Sequence, residues 1–285
     1  MRIALIFLLV LPFLGCENAD RVPVIGGGYG IGESVDGKRE GHWKFYRDND
    51  SLRSEGIYKN GQAEGEWKFY HVNGKLEEVS MWSADEVHGP ISVYHNNGIL
   101  DYQGQYDRDK KHGTWTWFSR DGNKIQQGNY DQGKENGEWT LWYETGQVEQ
   151  IQQYVDSTIT GPFIGYFENG QKRAEGNYLY NLKDGPWLVY FENGNLQDQS
   201  FYKSGKLHGA AVSYYENGAK RFEGAFINDL EDGILTWYYD NGKKQLEGNY
   251  VQGKENGIFT YYKIDGTVNY EREYVNGVEL VNETE

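Results

Sequence analysis

From Lys38 onward the chain alternates large apolar or aromatic residues with polar ones in short runs, and each run ends at a glycine or an Asn-Gly pair. Period-two alternation between turn residues is the mark of half-buried β-strands. The runs also recur. A glycine followed two residues later by a large apolar residue stands at Gly41, Gly65, Gly89, Gly113, Gly137, Gly161, Gly185, Gly209, Gly233 and Gly257, every step being 24 residues, although Ala211 takes the apolar place once. Unbroken register at this period means one supersecondary unit copied along an axis.

Counting from that glycine as position 0, the other fixed sites fall into place. Position 2 is Trp43, Trp67, Ile91, Trp115, Trp139, Phe163, Trp187, Ala211, Leu235 and Phe259, and position 17 is aromatic in all ten repeats. Position 5 is also aromatic throughout: Tyr46, Tyr70, Tyr94, Phe118, Trp142, Tyr166, Tyr190, Tyr214, Tyr238 and Tyr262. Positions 8 and 9 are Asn-Gly at, for example, Asn73-Gly74 and Asn169-Gly170. Such pairs predict hairpins closed by a two-residue type I′ turn. That turn places position 2 opposite 15, 4 opposite 13, 6 opposite 11 and 0 opposite 17. In this register the position-17 ring covers the glycine at 0, and the position-2 ring covers the glycine frequent at 15. One face then gathers positions 2, 4, 6, 11, 13 and 17 as core. The other gathers positions 3 and 14 with the position-5 rings, a polar surface striped with aromatics.

The expected fold is therefore all-β, an elongated, twisted antiparallel β-hairpin repeat array of about ten 24-residue repeats over residues 37–280, followed by an acidic tail at 281–285. The elements Gly65-Glu66-Trp67-Lys68-Phe69-Tyr70, Asn73-Gly74 and Glu175-Gly176-Asn177-Tyr178 resemble the MORN repeat, especially its bacterial variant. The resemblance implies an elongated antiparallel array without enzymatic activity. Members of the bacterial variant often carry the label "antitoxin", which makes an immunity-type partner protein a third and weaker expectation.

Ahead of the repeats, Arg2 precedes an apolar run from Ile3 to Leu14 that ends in Gly15-Cys16. A run of this length with a charged start reads as a secretory signal, too short to span a bilayer. Phe13-Leu14-Gly15-Cys16 resembles the lipobox of bacterial lipoproteins, so residues 1–15 are expected to be a lipoprotein signal peptide and Cys16 the lipidated residue. Residues 16–36, with Gly26-Gly27-Gly28, are expected to form a flexible tether, although Ile31 to Gly37 keeps glycine at the equivalents of positions 15 and 20 (Gly32, Gly37) and is a candidate N-terminal strand. The expected location is the bacterial cell envelope, at the outer membrane or cell surface.

Composition narrows the function. With 28 Lys plus Arg against 43 Asp plus Glu, the formal charge is −15, the wrong sign for a nucleic-acid surface. The single cysteine rules out an internal disulfide and a cysteine-based zinc site. No phosphate loop, dinucleotide fingerprint or nucleophile elbow occurs, and no catalytic residue, cofactor or metal ligand is expected. His88, His112 and His208 share the position before the glycine, yet consecutive copies would sit two strand spacings apart, roughly 9.6 Å, too far to share a zinc ion. The sharpest candidate is the position-5 stripe. It is expected either to grip a partner protein or, alternatively, to stack on the sugar rings of a cell-wall or surface polysaccharide. Against both stands a third reading, in which these rings pack across neighbouring hairpins as ladders.

Overall fold

A computed structural model describes residues 21–280, so the expected signal peptide, Cys16 and the expected acidic tail lie outside the described residues. Those residues form antiparallel strands paired in successive hairpins, and they divide into one unit up to His88 and a second from Gly89. In the first unit the strands are Val22–Pro23, Tyr29–Val35, Lys38–Tyr46, Leu52–Lys59, Gln62–Tyr70 and Leu76–Ser83. In the second, the strands from Leu100–Asp107 to Val268–Val275 repeat the same hairpin. The all-β hairpin array read from the sequence is the observed fold. Tyr29–Val35 lies inside the segment expected as a tether. It is instead a strand paired with Lys38–Tyr46, and Gly32 lies under the ring of Trp43.

The register within each repeat agrees with expectation over its first half: Gly41 faces Tyr58, Trp43 faces Gly56 and Phe45 faces Ser54. The turn does not. Position 6 closes on position 10, as His71 N–H donates to Lys75 O at 2.9 Å, and Gly74 N–H returns to His71 O at 2.9 Å. This is a three-residue loop with a left-handed residue at position 9, Gly74 having φ 79° while Asn73 stays at negative φ. A bulge then restores the register. Tyr70 pairs with Leu76, and Phe69 with Glu78, which leaves Glu77 at position 12 unpaired. Two departures of one residue cancel, so the pairing of positions 0 to 4 survives a wrong turn assignment. Position 11 is carried to the face of position 5 rather than to the core.

The type I′ turns lie at positions 19 and 20. There Asn60-Gly61, Tyr180-Asn181 and Asn228-Asp229 have both residues at positive φ, 53° and 87° in the first pair. The asparagine at position 8 has a different task. Asn241 Oδ1 accepts from Lys243 N–H at 3.0 Å, and its Nδ2 donates to Ile264 O of the following repeat at 3.0 Å. Asn97, Asn169 and Asn217 make the same bridge to the next loop.

The two glycine positions also part company. All ten position-0 glycines have positive φ, 66° at Gly113 to 113° at Gly161, where the ladder to the preceding strand bulges. A Cβ on Gly41, Gly65 or Gly113 would meet nothing within 4 Å, so no ring covers them and backbone conformation alone requires glycine. At position 15 it is space that requires glycine. A Cβ on Gly56 would lie 2.1 Å from Trp67, on Gly128 2.0 Å from Trp139, and on Gly176 2.1 Å from Trp187. The covering ring thus comes from the next repeat.

These rings make the core. Trp43, Trp67, Trp115, Trp139 and Trp187 are buried, Trp115 completely at 0% exposure, while Phe163 is half-buried. Position-17 rings stand edge-on between them: Tyr130 is 6.0 Å from Trp115 and 5.2 Å from Trp139, at 77° and 83°. Tyr178 bridges Phe163 and Trp187 in the same way. Burial of each Trp contributes roughly 2 to 3 kcal/mol, and each edge-to-face pair about 0.5 to 1.5 kcal/mol more.

Candidate functional site

All ten position-5 rings are half-buried. The face that carries them is braced across repeats. Tyr70 Oη donates to Glu55 Oε1 at 2.6 Å, Tyr190 Oη to Glu175 Oε1 at 2.5 Å, and Tyr238 Oη to Glu223. Each glutamate sits at position 14 of the preceding repeat. The other oxygen of Glu175 and of Glu223 takes a lysine from position 11, Lys172 and Lys220, both at 2.7 Å, whereas that of Glu55 meets Lys44 of position 3 at 3.5 Å. The bulge at position 12 is what brings the position-11 lysine to this face.

The electrostatics follow from the bonding. Burial first, then the bond to the carboxylate, pushes Tyr70, Tyr190 and Tyr238 up to about 12. The lysine bond first, then the tyrosine, holds Glu175 and Glu223 below the usual carboxylate range; at Glu55 the Tyr70 bond leads. Elsewhere in the row Lys124 lies 5.0 Å from the ring of Trp142, and Tyr46 stacks on Tyr29 at 5.2 Å. Position 6 adds a further strut, with Tyr143, Tyr215 and Tyr239 donating to the backbone oxygens of Tyr166, Tyr238 and Tyr262. These contacts place the rings between repeats while part of each still meets solvent. Among the described residues no group of three or more His, Cys, Asp or Glu is arranged to hold a metal ion.

A second surface had no place in the sequence reading. The residues flanking the two-residue turns, positions 18 and 21, are polar at Asp107, Lys110, Asp131 and Lys134. From Val155 onward apolar residues appear at these positions, Leu179 with Leu182, Ile227 with Leu230, Val251, and Val275 with Val278, all exposed, Val278 at 66%, while the turn flanked by Lys203 and Lys206 stays charged. Tyr180, in a turn itself, is exposed at 72%. Six turns, five of them with an apolar flank, lie along this edge and at about 9.6 Å per repeat span on the order of 48 Å. The sequence signal was available as apolar residues at two repeat positions that are polar in the earlier repeats. It was overlooked because period-two reasoning treats the strand ends as turn flanks.

The geometry defines a class, an all-β repeat protein whose hairpins lean on one another through Trp-over-glycine contacts. The MORN repeat variant matches nine segments: 39–60, 63–82, 87–108, 111–132, 135–156, 159–180, 183–204, 207–228 and 231–252. The chain belongs to that family. Similar solved structures include "Crystal Structure of TcdB2-TccC3-TEV", at 14% identity over 86% of this chain and 15% of that one, TM-score 0.21. Another is the Photorhabdus luminescens Tc holotoxin pore, at 13% identity over 86% of this chain and 15% of that one, TM-score 0.21. The chain thus spans under a fifth of either. No curated protein matches.

Proposed function

We propose that the chain is a non-enzymatic repeat scaffold, anchored to the bacterial cell envelope through lipid on Cys16, that binds a partner protein along the apolar turn edge of its second unit. The exposed apolar turns from Val155 to Leu182 and from Ile227 to Val278 carry this reading. Exposed apolar surface clustered along one edge marks an interaction site, and here Lys203 and Lys206 add a charged pair in the middle of it. The position-5 stripe takes a supporting role, since the hydroxyls of Tyr70, Tyr190 and Tyr238 are engaged between repeats. Placing a photo-crosslinking residue at Tyr180 or Leu230, in cells, yields a discrete higher-mass adduct, while the same residue at Lys110 or Lys134 yields none. Equal yields at both pairs refute the edge as the docking site. For the anchor, Cys16→Ser is expected to move the protein from the membrane fraction to the soluble one. Retention at the membrane overturns lipidation of Cys16.

A further inference from the structure

One strand of the second unit breaks the core pattern on its buried face. Lys206–Tyr214 carries Ala211 at position 2, where every other repeat carries a larger apolar or aromatic residue, and Ser213 at position 4, where every other repeat but the one with Gly165 does, and both are buried. A recess of about 450 Å³ opens over it, within the size range of small-molecule sites, about 300 to 1,000 Å³. Phe222 and Trp237, with ring centroids 5.2 Å apart, form an aromatic wall. Around them stand Asp198, Ser200, Arg221 and Gln245.

The recess is not an empty seat for a tryptophan. Ser200 occupies position 15, where every covering Trp needs glycine beneath it, so a ring in the usual place would collide with the serine Cβ. The polar groups are also unspent. Asp198 is half-buried and accepts no hydrogen bond from any described residue, and burial pushes its carboxyl up. The one hydrogen bond of Arg221 among the described residues is Nε to Ser213 Oγ, at 3.4 Å, and no ion pair joins it to Asp198.

We infer that this recess is a subsite for one ring of an uncharged saccharide, stacked on Trp237 and Phe222 and hydrogen-bonded through Asp198, Arg221 and Gln245. A free cation approaching Asp198 meets Arg221, and a free anion approaching Arg221 meets Asp198, so a neutral ligand suits both. Its edge must donate to the acceptor-only carboxylate and accept from the donor-only guanidinium. Neighbouring sugar hydroxyls do both at once, and the ring's C–H face matches an aromatic wall. The site is independent of the apolar turn edge.

The test is saturation-transfer NMR on the full chain with glucose, galactose, N-acetylglucosamine and their oligomers at millimolar concentration. Transfer from at least one sugar is expected. In Ser200→Gly/Ala211→Trp, which rebuilds the glycine-under-ring pair of the other repeats and fills the recess, that transfer is lost while the circular dichroism spectrum is unchanged. Asp198→Asn keeps the shape and weakens binding about tenfold. Absence of transfer from every sugar overturns the proposal. So does undiminished transfer in the double variant, or saturation transfer from free glycine and tryptophan in place of the sugars.

Discussion

Gly128→Ala isolates the contact on which the array depends. The new Cβ would lie 2.0 Å from Cδ2 and 2.2 Å from Cε2 of Trp139, a side chain 2% exposed. Because the obstructing atoms belong to a buried ring rather than a flexible tip, the ring must leave its seat. Overpacking of this kind costs about 1 to 3 kcal/mol, and full loss of the tryptophan's packing about 3 to 5 kcal/mol. An expected cost near 3 kcal/mol follows, against about 1 to 2 kcal/mol for Gly113→Ala, where only a left-handed φ of 66° is violated and the space is open. In a Trp139→Ala background Gly128→Ala should cost under about 0.5 kcal/mol, so the two changes should be strongly coupled. Urea unfolding followed by circular dichroism measures the cycle, with the slope checked because repeat arrays can unfold in segments. Additive costs, or Gly128→Ala within about 0.5 kcal/mol of the parent, refute the reasoning. The chain already contains one such double change, since Ser200 faces Ala211.

Other outcomes follow from the braces. Tyr190→Phe removes the bond to Glu175 and should lower stability by about 1 kcal/mol in urea titration, the site being partly solvated. Tyr70, Tyr190 and Tyr238 are raised from 10.0 to about 12, so they contribute stability below pH 10 that is lost as pH rises towards 12, and unfolding there should coincide with tyrosinate absorbance. Glu175 and Glu223 are shifted the other way, and their contribution, present at neutral pH, should fade as pH falls through their lowered values; thermal melts at acid pH read this. Asn241→Ala removes both arms of one loop bridge and should cost about 1 kcal/mol.

The repeat and its pairing were legible because position 0, position 2 and the position-17 ring recur without insertion. Three physical points were not. Asn-Gly fits both a two-residue I′ turn and a three-residue loop ending in a left-handed glycine, and the choice lies in the Asn bridge to the next repeat, a contact 23 residues away for Asn241. The glycines at positions 0 and 15 look alike in sequence, yet one answers to φ and the other to the width of a ring. The hydroxyls of Tyr70 and Tyr190 find their glutamates 15 residues back, a contact across the seam between repeats that the register within one hairpin does not specify. The apolar turn edge and the recess at Ala211 share a lesson. Both were written as departures from the repeat average, and averaging concealed them.

Where a ring covers a glycine, as with Trp115 over Gly104 and Trp139 over Gly128, the contact joins a repeat to the one before it, and this bears on how such a chain can change length. Duplication or excision of 24 residues among repeats of this kind returns a ring to a glycine, because both halves of the contact are inherited in phase. Where position 15 is Ser80, Gln152 or Ser200, the next repeat offers Ile91, Phe163 or Ala211 in place of tryptophan, so a junction that brought a tryptophan onto one of them would set an indole against a side chain. At Ser200 and Ala211 the departure leaves an opening that a uniform array would never present.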